Sequence, residues 1–204
     1  MIQADDAPPL VLASASAARR ALLEAAGLRF EAVAAAVDED AIKASARAEG
    51  LAPGEAALLL AGAKAERVAR RRPEALVVGC DQILECEGRW YDKPRDGAEA
   101  RSHLLALRGR SHALHTAVLC HREGRTVWTH LATPRLAVRG FSDAFLDAYL
   151  AAEGARATET VGAYRLEGPG VHLFDRVEGE HAAVLGLPLL PLLGFLRQHG
   201  VLVV

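Results

Sequence analysis

Short apolar runs alternate along the chain with longer segments of helical periodicity. The continuous apolar runs at residues 10–13 and 75–79 are typical of buried strands. Further strands are predicted at residues 29–35, in a hairpin over 83–91, in two or three strands over 113–138, and at 171–177. Helices are predicted at residues 17–26, 53–72, 98–107, 142–152 and 188–198. Because helices and strands interleave and hairpins occur near the middle, the pattern predicts an α/β fold with a mixed sheet.

Local signals mark several element boundaries. Ser16 is a candidate N-cap, Gly27 a candidate helix stop, and Pro53 suits the first turn of a helix. The acidic segment 38–40 is predicted to be a turn. Without an internal repeat or a low-complexity linker, the sequence predicts one domain over residues 1–204.

Composition and charge narrow the class of protein. The chain has 204 residues, of which 51% are hydrophobic and 25% charged, a balance typical of globular proteins. Its formal net charge of -2 argues against a non-specific grip on nucleic acid, which requires a basic face. The same charge is compatible with binding a single nucleotide, because a few local cations are enough for that.

Cysteine usage and hydropathy bear on the compartment. The three cysteines, Cys80, Cys86 and Cys120, form no C-x-x-C pair, so a zinc site is not expected. The N-terminus lacks the features of a secretory signal, and the apolar stretch 184–196 is broken by glycines and prolines. We therefore expect a cytoplasmic protein that does not associate with membranes.

The junction between the first strand and the first helix is a candidate phosphate site. Ser14 and Ser16 lie there, followed by Arg19 and Arg20. A helix N-terminus offers free backbone N–H groups, and an arginine adds a fork of donors that matches phosphate oxygens. The alternative interpretation is an ordinary N-cap followed by two solvated arginines.

Three further residues carry candidate chemistry. Asp81 is predicted to follow the strand 75–79, where a carboxylate can hold a metal ion or polarise water, or simply cap a turn. Lys93 precedes a proline and is either a rigid point charge for phosphate or an exposed turn residue. Lys64 lies among alanines and leucines and either points at a partner or extends to solvent from a buried stem.

Familiar catalytic motifs are missing from the sequence. It has no G-x-x-x-x-G-K-[ST] phosphate loop, no G-x-S-x-G elbow and no H-E-x-x-H zinc motif. His112 and His115 are predicted to lie on opposite faces of one strand. Four other histidines are predicted to be surface residues: His103, His121, His130 and His199.

Taken together, these segments closely resemble the Maf family of septum-formation-inhibitor-like nucleotide pyrophosphatases, from residue 10 to about residue 200. The resemblance is carried by nine segments in order: LASASAARRALL (12–23), VDE (37–39), AKA (63–65), GCDQ (79–82), DKP (92–94), HTAV (115–118), GAY (162–164), LEG (166–168) and VLGLPL (184–189). Each segment is weak alone, but all nine in this order are specific.

The resemblance implies positions for the catalytic and binding residues. The arginine that this family uses on phosphate corresponds to Arg19, and the acidic residue after the second strand to Glu39. The helical lysine corresponds to Lys64, the proposed proton acceptor to Asp81, and the lysine of the Lys-Pro pair to Lys93. It also implies an elongated mixed sheet flanked by helices in two lobes (the Maf or ITPase-like fold), a site in the cleft between them, and often a homodimer.

Three further positions separate the substrate branches of the family. Members acting on dTTP and UTP carry Arg, Thr and Gln there, and members acting on 7-methyl-GTP carry Trp, Gln and Glu. The corresponding residues here are Ala18, Gln82 and Glu167, so two of the three match the 7-methyl-GTP branch and Ala18 matches neither. The usual motif proline is also replaced, by Ala17.

We therefore predict a nucleoside triphosphate pyrophosphatase. Glu39 and Asp81 are predicted to hold Mg²⁺ or Mn²⁺, and Asp81 also to activate the attacking water. Arg19, Lys64 and Lys93 are predicted to stabilise charge on the triphosphate. Ser14 and Ser16 are predicted to contact phosphate, Gln82 the base or sugar, and Glu167 a base amino group. The alternatives are a nucleotide-binding regulator of division without turnover, a phosphatase that releases phosphate stepwise, and a generic α/β domain whose motif residues are helix caps and surface charges.

Overall fold

The computed structural model describes residues 2–203, and these contain eight strands in one sheet, seven α-helices and three short 3-10 helices. The strands are β1 Leu10–Ala13, β2 Glu31–Ala32, β3 Leu76–Cys86, β4 Arg89–Tyr91, β5 Ser111–Arg122, β6 Arg125–Ala132, β7 Arg135–Val138 and β8 Phe174–Glu178. The helices are α1 Ala17–Ala25, α2 Glu39–Ala48, α3 Pro53–Ala69, α4 Gly97–Leu107, α5 Asp143–Glu153, α6 His181–Val184 and α7 Leu189–Gln198. The 3-10 helices are Gly154–Thr158, Val161–Ala163 and Pro169–Leu173.

The sheet is mixed, as the sequence predicts. Its strand order is β2-β1-β3-β5-β7-β8, with β4 added to β3 and β6 added to β5. Strand β1 runs parallel to both of its neighbours, whereas β3 and the strands beyond it pair antiparallel. None of the helices in the described part of the chain is long and apolar enough to cross a membrane.

Strands β3 and β5 run through both lobes of the structure and connect them. The two strands pair along nearly their whole lengths, from Val77 opposite His121 to Glu85 opposite Ala113. At one end, α1 and α7 pack on one face of the sheet and α3 packs on the other. At the other end, α4 and α5 enclose a separate hydrophobic cluster with β7. The cleft described below lies where these lobes meet.

Two local predictions were wrong in a way that matters for the site. Strand β3 does not end at Gly79 but continues through Asp81 and Gln82, because β5 pairs with it there and satisfies its backbone hydrogen-bonding groups. The acidic segment 38–40 is not a free turn but the start of α2. Asp38 caps that helix by accepting a hydrogen bond from the Ala41 amide at 2.9 Å, and acidic residues in a first turn suit the helix dipole.

Smaller differences concern the weaker strands. Only Glu31–Ala32 of the segment 29–35 pairs as a strand. In the segment 171–177, the first three residues belong to a 3-10 helix and the strand begins at Phe174. Ser16 does cap α1, since its hydroxyl accepts a hydrogen bond from the Arg19 amide.

The histidine predictions were partly wrong. His103 and His121 are buried, with 5% and 7% of their surface exposed. His103 lies on the face of α4 that packs inward and contacts Tyr91 edge-on. His199 is exposed and His130 partly so. The ring of His112, on one face of β5, contacts the ring of Tyr164.

His115 is on the other face of β5, near Gly54 of α3, so the prediction of opposite faces for these two histidines is confirmed.

Helix α3 approaches β3 most closely at Gly79. A Cβ atom at this position would lie 2.2 Å from the carbonyl oxygen of Ala61 and 2.8 Å from the Cβ of Ala65. Glycine therefore permits the contact that brings Lys64, on α3, beside Asp81, on β3.

We expect Gly79→Ala to lower the free energy of unfolding by about 1–3 kcal/mol, because the helix backbone must move away from the strand. Chemical denaturation of the variant measures this change. Gly97→Ala is the matched control, since nothing lies within 4 Å of a Cβ at Gly97. Equal stability of Gly79→Ala and the wild type would show that the contact does not constrain α3.

Candidate functional site

A cleft of about 450 Å³ lies between the two lobes. All ten side chains predicted for the site line it: Ser14, Ser16, Ala18, Arg19, Glu39, Lys64, Asp81, Gln82, Lys93 and Glu167. These residues come from six separate parts of the chain, so the fold brings together what the sequence keeps apart. Their individual roles stay predictions.

Arg19 is fixed by the protein itself. Its Nε donates to the Gly186 carbonyl at 2.8 Å, and its Nη1 donates to the Cys80 carbonyl at 3.0 Å and the Ser14 hydroxyl at 3.2 Å. Its Nη2 has no hydrogen-bond partner within residues 2–203. The neighbouring Arg20 is exposed and pairs with Glu24 on the helix surface. Arg19 is therefore a hydrogen-bond donor whose orientation is fixed by the protein. Arg20 instead agrees with the alternative interpretation, in which it is a solvated surface arginine.

Lys64 lies between two carboxylates. Its Nζ is 2.5 Å from Asp81 Oδ1 and 2.8 Å from Glu39 Oε1. Lys64 and Asp81 are buried, with 7% and 5% of their surface exposed, so the lysine does not extend to bulk solvent. Burial by itself would raise the pKa of Glu39, but the hydrogen bond and charge of Lys64 outweigh it and lower that pKa. The neighbouring Lys64 thus favours the carboxylate form of Glu39.

The oxygen atoms of this cluster suit a hard divalent cation. Nowhere in the described residues do three His, Cys, Asp or Glu side chains come together as a complete metal site. Glu39 and Asp81 each contact Lys64 Nζ through one carboxylate oxygen, Oε1 of Glu39 and Oδ1 of Asp81. Mg²⁺ is commonly held by one or two carboxylates, with substrate phosphates and water completing its coordination. The donor set therefore fits Mg²⁺ or Mn²⁺ shared with a bound phosphate chain.

Lys93 and Lys43 add positive charge at this end of the cleft. Lys93 is exposed at the rim and contributes to the lowered pKa of Glu39. Lys43 lies four residues after Glu39, on the same face of α2, and its Nζ is 2.6 Å from Asp92 Oδ1. Burial opposes the charged form of Lys43, but Asp92 outweighs it and raises the lysine's pKa. Sequence reasoning missed Lys43 because it missed α2, although the spacing of Glu39 and Lys43 was available as a signal.

Gln82 lies on the opposite face of β3 from Asp81, since successive side chains alternate along a strand. Its Nε2 donates to the Thr116 hydroxyl at 2.8 Å and to the carbonyls of Ala183 at 3.1 Å and Val184 at 3.2 Å. No described residue hydrogen-bonds to its Oε1. That oxygen therefore keeps its capacity to accept a hydrogen bond.

A loop from the second lobe brings Glu167 and Arg165 to the cleft. Glu167 is exposed at the rim. Arg165 donates to both carboxylate oxygens of Glu153, at 3.0 Å from Nε and 3.4 Å from Nη2, and the Glu153 side chain is fully buried. Neither Arg165 nor Glu153 was predicted from sequence, because an acid at the end of an alanine-rich helix gives no local sign that it is buried.

The start of this loop is held by hydrogen bonds to the underlying core. The Tyr149 hydroxyl donates to the Ala163 carbonyl at 3.0 Å, and the Thr160 hydroxyl donates to the Tyr164 carbonyl at 2.7 Å. The Tyr164 hydroxyl is 2.6 Å from Nε2 of the buried His112. Burial lowers the pKa of His112 to about 4, so this histidine is neutral in the folded protein near neutral pH.

We expect His112 to make folding pH-dependent. The unfolded chain takes up a proton near the ordinary pKa of about 6.5, whereas the folded protein does so near 4. Above about pH 6.5, His112 therefore does not lower the free energy of unfolding. As the pH drops from there to about 4, this free energy falls by roughly 3 kcal/mol in total.

Urea unfolding of the wild type and of His112→Gln across this pH range checks the prediction. Glutamine can still reach the Tyr164 hydroxyl but does not titrate. Parallel pH curves for the two proteins would show that His112 is not the group responsible.

A mixed sheet whose cleft contains an anchored arginine and a lysine held between two carboxylates is the kind of site that binds phosphate chains. The model of the family described as Maf-like protein matches residues 9–199. The chain belongs to this family.

Curated relatives match over nearly their whole lengths. The chain is 55% identical to the nucleoside triphosphate pyrophosphatase of Granulibacter bethesdensis, over 96% of the chain and 99% of the relative. It is 52% identical to the protein of the same name from Rhodospirillum rubrum, over 96% of each. It is 51% identical to the 7-methyl-GTP pyrophosphatase of Rhizobium meliloti, over 95% of the chain and 97% of the relative.

Proposed function

We propose that this protein is a nucleoside triphosphate pyrophosphatase, which hydrolyses its substrate to the monophosphate and pyrophosphate. The observation that carries the proposal is the cluster of Lys64 with Glu39 and Asp81, set in a cleft with the anchored Arg19. Relatives at 52–55% identity bear the name of this activity, which favours it over a regulator that binds nucleotide without turnover.

In the proposed reaction, water attacks the α-phosphorus. A new bond forms between the water oxygen and the α-phosphorus, and the bond from that phosphorus to the bridging oxygen breaks. Asp81 accepts the proton of the attacking water, and pyrophosphate leaves with the bridging oxygen. Lys64, with its Nζ 2.5 Å from Asp81 Oδ1, orients this carboxylate.

Positive charges at the same end of the cleft hold the triphosphate. Arg19 offers its Nη2 and Lys93 its ammonium to phosphate oxygens, and the hydroxyls of Ser14 and Ser16 lie beside Arg19. Phosphoryl transfer depends mainly on such positioning and charge stabilisation. A divalent ion on Glu39 and Asp81, Mg²⁺ or Mn²⁺, supplies additional neutralisation of the phosphate charge when bound.

The other end of the cleft selects the base. Gln82 offers a fixed acceptor, and Glu167 places a carboxylate at the rim, so both favour a base with exposed N–H donors. We propose 7-methyl-GTP as the first substrate to test, supported by the 51% identical relative that bears this name. Ala18 provides no stacking surface, so the recognition depends on hydrogen bonds more than on stacking.

We further propose that the protein acts in the cytoplasm as a homodimer. All three cysteines are free and buried, as suits a reducing compartment. The proposed dimer follows from the family resemblance, and light scattering on the purified protein tests it.

Pyrophosphate release from purified protein with Mg²⁺ tests the proposed activity. The substrates are 7-methyl-GTP, dTTP, UTP, CTP and the common nucleotides. We expect pyrophosphate as the sole inorganic product, and we expect Asp81→Asn to lower kcat by about 100-fold or more, since it removes the proton acceptor. Thermal unfolding confirms that the variant is folded.

The matched control is Asp175→Asn, at an exposed position of β8 outside the cleft. Orthophosphate as the product would instead establish a stepwise phosphatase. Near-normal turnover by Asp81→Asn would exclude the assigned role of Asp81.

Glu167→Gln tests base selection. Removing the carboxylate takes away a charged hydrogen bond to the base, so we expect kcat/KM for the preferred base to fall by roughly tenfold or more relative to the others. Competition assays between two nucleotides measure this ratio directly. Glu159→Gln removes the same charge from the same rim and should leave base preference unchanged. Equal effects of both variants would indicate general electrostatics, and no effect of either would refute the role of Glu167.

A further inference from the structure

The two walls at the phosphate end of the cleft are joined by an ion pair. One wall is α2, which begins with Glu39, and the other is the segment after β4, which carries Lys93. Lys43 of α2 reaches across, with its Nζ 2.6 Å from Asp92 Oδ1. The two residues are 49 positions apart in sequence, and Asp92 directly precedes Lys93.

This pair differs from the surface ion pairs of the protein. Its lysine is shielded: the Lys43 side chain is only 12% exposed and that of Asp92 is 46% exposed, whereas Arg95, in the pair with Glu99 nearby, is 86% exposed. The second oxygen of Asp92 accepts from Arg47 at 3.4 Å, and the Arg47 guanidinium lies 4.9 Å from the centre of the Trp90 ring. An ion pair that is partly shielded from solvent and belongs to a network of charges stabilises a structure more than an isolated, exposed ion pair does.

Helix α2 depends on this pair because it has little apolar packing. Ala46 is the one fully buried residue among its ten, all of which are described. A helix with so few buried contacts opens more readily than one packed in the core. The proline that follows Lys93 restricts the backbone around that lysine, so a shift of Asp92 also moves Lys93.

We propose that Lys43 and Asp92 are positioning residues whose ion pair sets the separation of Glu39 and Lys93 across the triphosphate, and that Lys43 does not itself bind phosphate. This inference builds on the proposed function. A lysine that left Asp92 for the substrate would leave this carboxylate, beside a polyanion, with only the longer contact to Arg47. The Lys43–Asp92 ion pair therefore fixes the distance between the two walls, and we call this pair the strut.

Lys43→Met and Asp92→Asn separate the strut from direct phosphate binding. For a strut, either variant lowers kcat by about tenfold while KM changes less than about threefold, because binding groups remain but the reacting geometry is lost. The double variant then costs no more than either single one, since both remove the same interaction. If Lys43 bound phosphate, Lys43→Met would raise KM, and Asp92→Asn would free the lysine and lower KM.

Two comparisons sharpen this test. Lys43→Arg retains a cation that can pair with Asp92, and it should keep most of the wild-type kcat. Arg95→Met removes the exposed pair with Glu99 in the segment that follows Lys93, and it should leave both constants unchanged. Loss of kcat in Lys43→Arg equal to that in Lys43→Met, or a lowered KM in Asp92→Asn, would overturn the proposal.

Hydrogen exchange provides a readout that does not require activity. Lys43→Met and Asp92→Asn should each speed amide exchange in α2 by about tenfold, while exchange in α3 and β3 stays at the wild-type rate. Unchanged exchange in α2 would overturn the strut. Faster exchange in both variants of a protein that releases no pyrophosphate would support the strut and reject the proposed function.

Discussion

The site depends on one buried cation between two carboxylates. Lys64 is almost entirely removed from solvent, so its charge must be balanced within the protein, and Asp81 and Glu39 do this at 2.5 and 2.8 Å. The arrangement requires α3 to lie directly against β3, which the absence of a side chain at Gly79 allows. The charge cluster therefore depends on the close packing of α3 against β3, since a displaced α3 would separate Lys64 from Asp81.

Strand β3 organises the rest of the cleft by the alternation of its side chains. Asp81 faces Lys64 of α3, whereas Gln82 faces Thr116 and the last residues of α6. One strand thus carries both the proposed proton acceptor and the proposed base contact, on adjacent residues. The second lobe contributes a loop whose start is tied to Tyr149 and whose Arg165 is paired with the buried Glu153. Both sides of the cleft are therefore held in place by the protein before any ligand binds, which limits the reorganisation that binding requires.

Much of the site could be predicted because its residues belong to short segments with local meaning. The Ser-rich junction before α1 has the spacing of a helix cap, and Ser16 does cap that helix. Lys64 stands out against the apolar residues around it, and its position inside the cleft agrees with the first of the two interpretations. Asp92, Arg165 and Glu153 could not be found in this way, because each is defined by a partner elsewhere in the chain. Lys43 was missed because α2 was not predicted.

The sequence by itself determined the class of fold, most of the helices and strands, the cap of α1 and, with the family resemblance, ten of the residues that line the cleft. Those features follow from local periodicity, turn chemistry and motif order. Only the tertiary structure decided that β3 continues past Gly79, that the acidic segment 38–40 opens a helix, and that His103 and His121 are buried. The reason is physical: β5 supplies the backbone partners that extend β3, and the packing of each lobe decides which polar side chains lie inside. Such partners are distant in sequence, so no local pattern specifies them.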